Sequence, residues 1–356
     1  MIWNNGNKKI YREFRKHLIN RRNVMRNIHL RMCTSILATV SMLFGAYAQA
    51  DRYVLGGNPP GSLFNSIANA IGTVVSQNSE NTIDVLPQGG TVYYPMMLSK
   101  EVDFGLVNPF DAYAAHTGMA PYGSKLTDKG FSLRTVMVGK PINISFITTK
   151  DSGIKNFADL KGKRVVADYG AFASSSLSAN TLLATAGLTK DDIKVVTVGS
   201  YPQGVKAVQE GRADASVASI GSGVTRELDA TRGAKILSVT NTPEALSAAR
   251  KIGKSWVISA VKPGAPGVTE EVNAISYGVP VVARADLDDQ AVRSLLETVW
   301  NHHEKLPGIF GWMRGWTPDK FVNTAVSIPY HPAAIAFYKE KGVWTSEMDR
   351  IQSSLK

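Results

Sequence analysis

The 356 residues are 44% apolar and 19% charged. That is ordinary for a soluble globular chain and excludes a disordered tail, a collagen-like repeat and a disulfide-rich mini-protein. The length allows about two domains. The formal charge of +11 points at first toward nucleic acid, but residues 1–50 hold nine Lys/Arg against the single acid Glu13, while the other 306 residues carry 31 bases and 28 acids. The body is nearly neutral, and a nucleic-acid-binding domain concentrates its positive charge on the folded part.

A basic stretch opens the chain. An apolar run follows from Cys33 to Ala48, then Ala48-Gln49-Ala50 and Asp51. Basic region, short apolar core and A-x-A site form the pattern of a secretory signal peptide cleaved after Ala50. The run falls short of the ~20 residues a spanning helix needs; the alternative is a retained membrane anchor. The long basic region fits a translation start at Met25 or Met32. Cys33 opens the apolar run instead of following it, so it is not placed as a lipoprotein cysteine. It is the only cysteine, and the mature chain is expected to use no disulfide, thiol chemistry or Cys-ligated metal.

From residue 52 short β-rich runs alternate with helical patterns. Arg52 to Gly56 reads as a strand and Gly57 to Gly61 as a turn. Ser62 can cap a helix whose apolar positions, Leu63, Ile67, Ala70, Ile71 and Val74, recur at three and four. Strands follow at Thr82–Leu86 and Asp103–Val107, with a short helix from Gln88 to Met97 and another from Phe110 to His116. A loop at 119–131 precedes a long β-rich stretch, Leu133 to Thr149, interrupted at Pro141. A second series comes next. Its strands are Arg164–Ala167, Lys194–Val198, Asp214–Ile220 and Lys235–Thr240, and its helices are Ser174–Ala186, Gln203–Glu210 and Val224–Thr231. Residues 241–272 are mixed and Asn273–Ala283 is β-rich. Asp286–Lys305 is an amphipathic helix with Leu287, Val292, Leu295, Leu296, Val299 and Trp300 on one face. The Trp-rich tail, 306–356, reads as helical, including Ala333 to Lys341.

The alternation predicts βαβ units and a mostly parallel sheet. Two such series joined by two long β-rich stretches predict a two-lobed α/β fold with a double crossover. Residues 51–142 and 274–356 form the first lobe, and 143–273 the second. A cleft then lies between the lobes at the carboxyl ends of the strands, and closes about its ligand by hinge motion.

Four loops after strands lead into helix N-termini: Gly56–Ser62, Gln88–Thr91, Asp168–Ser176 and Ser219–Val224. Helix N-termini carry unpaired N–H groups and a positive dipole end, which suit carboxylate or phosphate. At any one loop these residues can equally be plain caps; four loops meeting in one cleft argue for a ligand. Other chemistry finds no motif. Gly56-Gly57-Asn58-Pro59-Pro60-Gly61 matches neither G-x-G-x-x-G nor the P-loop, and Val217-Ala218-Ser219-Ile220-Gly221 lacks the first glycine of G-x-S-x-G. His302 and His303, adjacent on a helix, point about 100° apart and do not share a metal. Tyr93, Tyr94, Phe110, Phe172 and Tyr201 either pack the core or line the cleft. Arg226 either pairs a carboxylate or is solvated.

The chain resembles the TAXI-type solute-binding proteins of tripartite ATP-independent periplasmic (TRAP) transporters over about residues 52–350. The matching pieces begin with Tyr53-Val54-Leu55-Gly56-Gly57 with Gly61, and Gly89-Gly90-Thr91, where the family has Gly-Gly-Ser. They continue with Val102–Val107, Asp159–Val165, Ala186-Gly187-Leu188 with Asp191-Asp192, and Glu210–Ala215. The most specific piece is the tail, Ile328-Pro329-Tyr330-His331-Pro332-Ala333-Ala334-Ile335 and Phe337–Gly342; the family has Leu at 330 and Gly at 333. A second departure is Tyr169–Ser176, bulkier than the family's Gly-Ser-Gly-Thr-like loop, which implies a ligand different from the amino acids and dicarboxylates associated with the family. The resemblance implies a periplasmic, monomeric binding protein with no enzyme activity and no cofactor. It would capture a small organic acid, chiefly a carboxylate, and deliver it to TRAP permease subunits. The expected ligand-binding residues are Asn58, Ser62, Gly90, Thr91, Asn108, Tyr169, Ser174 and Ser175, with Ser219 and Ser222 behind them; His331 is expected to hold structure. The rivals are a binding protein of a tripartite tricarboxylate or ABC transporter, an exported enzyme on the same fold, and an exported sensor.

Overall fold

Apolar residues at three- and four-residue spacing make the first helix, and the same logic repeats along the chain. The computed structural model describes residues 50–119, 122, 129–170, 172–253 and 255–355. The expected signal segment lies outside them except for Ala50. The elements of the first series are β1 (Arg52–Gly56), α1 (Leu63–Asn78), β2 (Thr82–Leu86), α2 (Gly90–Leu98), β3 (Phe104–Leu106) and α3 (Pro109–Thr117). The long strand β4 (Leu133–Thr149) leads to the second: β5 (Arg164–Asp168), α4 (Ala173–Thr185), β6 (Lys194–Thr197), α5 (Tyr201–Gln209), β7 (Ala215–Ser219), α6 (Gly223–Arg232) and β8 (Ala234–Ile236). Then come α7 (Pro243–Ile252), β9 (Val257–Val261), the long β10 (Val272–Arg284), α8 (Asp289–His302), α9 (Pro332–Glu340) and α10 (Ser346–Ser354).

The strands run in the order β2-β1-β3-β10-β4-β7-β5-β6, with β8 on β4 and β9 on β10. Pairs within each series are parallel, β1 with β2 and β3, and β5 with β6 and β7. The two long strands are antiparallel to each other and to their other neighbours, and together they join the two series. The C-terminal end of β10, Val281–Ala283, pairs β3, and its start, Val272–Ser276, pairs β9. Likewise β4 pairs β7 and β8 through Ile144–Thr149.

Three sequence expectations are corrected. Pro141 does not interrupt β4: it pairs with Gly278, and the register shift beside it places the extra residue within β4, where Gly139 and Lys140 stand against Val279 alone. A Cβ at Gly278 would lie 2.6 Å from Val138 Cγ1, so the close approach here needs glycine. The mixed stretch 241–272 resolves into α7 and β9. The tail before α9 is not continuously helical: it holds one helical turn, Leu306–Ile309, and short 3-10 turns, with Pro307, Gly308, Gly311 and Gly315 spaced too closely for a long helix.

The core lies along both faces of the sheet. Val292, Leu295, Leu296 and Val299 of α8 are buried as the periodicity predicts, while Trp300 is half-buried and meets Phe321 and Phe337 edge-on. The tail is tied to β4: Tyr338 Oη donates to the Val136 carbonyl at 2.8 Å, and Thr135 bonds Pro329 and His331 through the backbone. His331 is 1% exposed and caps α9, its Nδ1 accepting from the Ala333 N–H at 3.2 Å. Among the described residues no helix is long and apolar enough to cross a membrane.

Candidate ligand-binding cavity

Five strands end at one place. Asn58 and Ser62 follow β1, Asn108 follows β3, Phe172, Ser174 and Ser175 follow β5, Tyr201 follows β6, and Ser219 ends β7; all line a cavity of about 60 Å³. The floor comes from the long strands, with Ile142 and Ile144 of β4 and Tyr277 of β10. This is the carboxyl-end position at which open α/β sheets hold ligands.

The local geometry separates polar groups already in use from those left over. Ser62 caps α1: its Oγ accepts from the Asn65 N–H at 3.1 Å and donates to the Pro59 carbonyl at 2.6 Å. Asn108 caps α3, its Oδ1 accepting from the Asp111 N–H at 2.7 Å, which leaves the side-chain NH2 as donor. Tyr201 Oη is shared between the Ser219 N–H at 2.8 Å and Ser222 Oγ at 2.9 Å. Ser178 Oγ donates to the Ser174 carbonyl.

For the other polar side chains of the lining, Asn58, Ser174 Oγ, Ser175 Oγ, Ser219 Oγ and Tyr277 Oη, no described residue supplies a hydrogen-bond partner. Asn58 is held in the left-handed region at φ 61°. Asn tolerates that conformation better than most residues, and here the backbone is fixed by Asn58 N–H to the Gln88 carbonyl and Asn65 Nδ2 to the Asn58 carbonyl. Phe172, at the N-cap of α4, provides no side-chain cap, so Ser174 and Ser175 stand in an open first turn. Tyr277 packs edge-on to Trp256, ring centroids 5.0 Å apart, and burial pushes its phenol well above the usual range, so it stays a protonated donor.

The structure thus brings together Asn58, Ser62, Asn108, Ser174, Ser175 and Ser219 of the ten expected ligand residues. The other four lie outside the lining. Tyr169 is fully buried under it, its Oη on Ser216 Oγ and accepting from the Val217 N–H at 3.1 Å. Ser222 is fully buried and caps α6. Gly90 starts α2 against Tyr94 and Asp111, and Thr91 follows it. Sequence reasoning missed Ile142, Ile144 and Tyr277. The alternation within the two long β-rich stretches was the available signal, since residues 142 and 144 share a face.

Of the aromatics, Phe172 and Tyr201 line the cavity while Tyr93 and Tyr94 are core. Behind Asn108, the buried Asp111 accepts from Tyr94 Oη at 3.3 Å and from Tyr122 Oη. Burial pushes its carboxyl up to about 6, against the partial pull of the two phenol donors. Arg226 is exposed, its guanidinium 5.7 Å from the centre of the Phe310 ring. No group of three or more His, Cys, Asp or Glu fit to hold a metal occurs among the described residues.

The cavity is drawn in from both series. A Cβ on Gly89, at the start of α2, would lie 2.5 Å from the Phe172 ring. The Val224 N–H reaches the Gly61 carbonyl at 3.3 Å.

The sequence profile of the NMT1-like family matches residues 55–342. The chain belongs to the NMT1-like family. Among solved structures it is similar to a periplasmic transporter, at 14% identity over 87% of this chain and 97% of that one, with a TM-score of 0.55. It is also similar to the alkanesulfonate-binding protein SsuA from Xanthomonas axonopodis pv. citri bound to MOPS (15%, 86% and 84%, TM-score 0.46). A third likeness is to PhnD1 from Prochlorococcus marinus in complex with methylphosphonate (12%, 74% and 90%, TM-score 0.47). The fold of this family member is the mixed α/β, two-lobed fold of periplasmic binding proteins.

Proposed function

We propose that the protein is an exported, monomeric solute-binding subunit that captures a small organic acid, as its carboxylate, and hands it to a membrane permease. One observation carries this reading: loops from five strands converge on a cavity whose polar groups include several donors with no partner among the described residues. Helix N-termini around it add their positive dipole ends, which favour an anion without a charged side chain. Asn58, Asn108, Ser174, Ser175 and Ser219 touch the ligand. Ser62, Gly90, Thr91, Tyr169 and Ser222 hold the loops in place. The two lobes, 51–142 with 274–356 and 143–273, close about the ligand by bending where β4 and β10 cross between them, near Pro141 and Gly278. The protein performs no reaction on its ligand and needs no cofactor.

The resemblance to TAXI-type proteins supports a TRAP permease as the partner, and an ABC permease is the alternative. The basic and apolar start of the chain supports export to the periplasm, with cleavage after Ala50. The test is a thermal-shift and calorimetric screen of residues 51–356 against organic acids. A ligand bound only by the folded state adds about 2.7 kcal/mol of stability at a hundred times its dissociation constant. Saturable binding of an acid, weakened by Asn58→Ala, is expected; no saturable binding to any acid, in protein shown by mass spectrometry to be empty, would overturn the reading.

A further inference from the structure

We infer that the ligand is a short monocarboxylate with neither an ammonium group nor a second acid group; this rests on the reading of the cavity as a carboxylate site. Every described residue that lines the cavity is neutral. The polar part is made of hydroxyls and amides, and the apolar part is Leu63, Phe64, Ile142, Ile144 and Val217. One carboxylate finds donors in Asn58, Ser174, Ser175, Ser219 and Tyr277. An α-ammonium group would need a carboxylate or carbonyl cluster beside it. The lining holds no carboxylate, and the buried Asp111, three residues after Asn108, is taken up by Tyr94 and Tyr122. A second carboxylate would fall against the apolar wall. A charge buried without a partner is strongly disfavoured, so both kinds of ligand are rejected.

Size points the same way. A cavity of about 60 Å³ is small and favours a short ligand over an extended one. Phe172 bounds it on one side: its ring lines the cavity and lies where a Cβ on Gly89 would come within 2.5 Å.

The experiment is isothermal titration of residues 51–356, unfolded and refolded to remove retained ligand, with propionate, butyrate, lactate, alanine, succinate and ethanesulfonate. At least one of the three monocarboxylates is expected to bind, with alanine and succinate weaker by about 100-fold or more. Phe172→Ala is expected to shift the preference to acids two or three carbons longer. Phe172→Leu serves as the gentler variant should the first fail to refold. Alanine, succinate or ethanesulfonate binding within tenfold of the best monocarboxylate overturns the inference but leaves the protein a binding protein. If no compound binds and denatured native protein releases no acid, the underlying reading falls, and the inference with it.

Discussion

The helix starts on the two sides of the cavity are built differently. On one side α1 closes its own N-terminus, with Ser62 Oγ committed to the Asn65 N–H and the Pro59 carbonyl, and Asn108 does the same for α3 with one side-chain atom. On the other side α4 starts from Phe172 with no side-chain cap, and the hydroxyls of Ser174 and Ser175 point to no described protein partner. The starts of α1 and α3 are finished and that of α4 is left open, although Ser222 caps α6 of the same series. On the proposed function, a ligand that bridges the two sides would complete the first turn of α4 and couple binding to closure. Serine at a helix start therefore carries two meanings, and only the position of competing acceptors tells them apart.

The most severe way to break this comparison is to keep the two sides from meeting. Gly89→Val places a branched side chain where a Cβ already comes within 2.5 Å of the Phe172 ring. Titration should show ligand affinity falling about a thousandfold, about 4 kcal/mol, while the unliganded melting temperature stays within a few degrees. The double variant Gly89→Val with Phe172→Ala should recover much of the loss. Unchanged affinity in Gly89→Val would show that the bound state does not close this way.

The next effect sharpens the finished side. Asp111 supports the start of α3 as a buried carboxyl whose pKa is raised to about 6. Below about pH 4 the carboxyl is protonated folded and unfolded, and above about 6 it is ionised in both. Between the two the folded protein holds the extra proton, so its contribution to stability falls as pH rises and the cost persists at neutrality. The shift corresponds to at most about 3 kcal/mol. Urea unfolding of wild type and Asp111→Asn at pH 4 and pH 7 should show a difference between the two proteins that moves in favour of the variant by up to that amount at pH 7. A difference independent of pH would show that the carboxyl is not desolvated.

A smaller pair of effects separates the two roles of serine. Ser174→Ala with Ser175→Ala should weaken binding by about 2 kcal/mol, roughly 30-fold, since hydrogen bonds to a charged group each count for more than neutral ones, with little change in melting temperature. Ser62→Ala should do the reverse, lowering stability to unfolding by about 1 kcal/mol through the lost cap while the intrinsic affinity changes little. Should both variants act on stability alone, the two helix starts are equivalent and the comparison fails.

The strand–helix alternation made the two series and most element positions legible, because 3.6- and 2-residue periodicities are local properties. What the periodicity did not disclose is tertiary. Pro141 reads as a break, yet β4 runs through it opposite Gly278 and carries the adjoining extra residue itself, Gly139 and Lys140 against Val279. Tyr169 reads as a loop residue facing a ligand, yet its ring lies under the floor because Ser216 and the Val217 N–H satisfy its hydroxyl there. Tyr277 sits in an ordinary β-rich run, and only the crossing of β10 beneath the helix N-termini makes it a cavity donor. Loop composition marked where polar groups gather; their partners, which decide capping or binding, come from segments far along the chain.

The central claim is tested most directly by a crystal structure of the exported protein with its co-purified or added acid. One carboxylate is expected inside the cavity, within hydrogen-bond distance of Asn58, Ser174 and Ser175, with its apolar part against Ile142, Ile144 and Val217. A ligand held elsewhere on the protein, or one whose acid group is paired with a charged side chain, would contradict it.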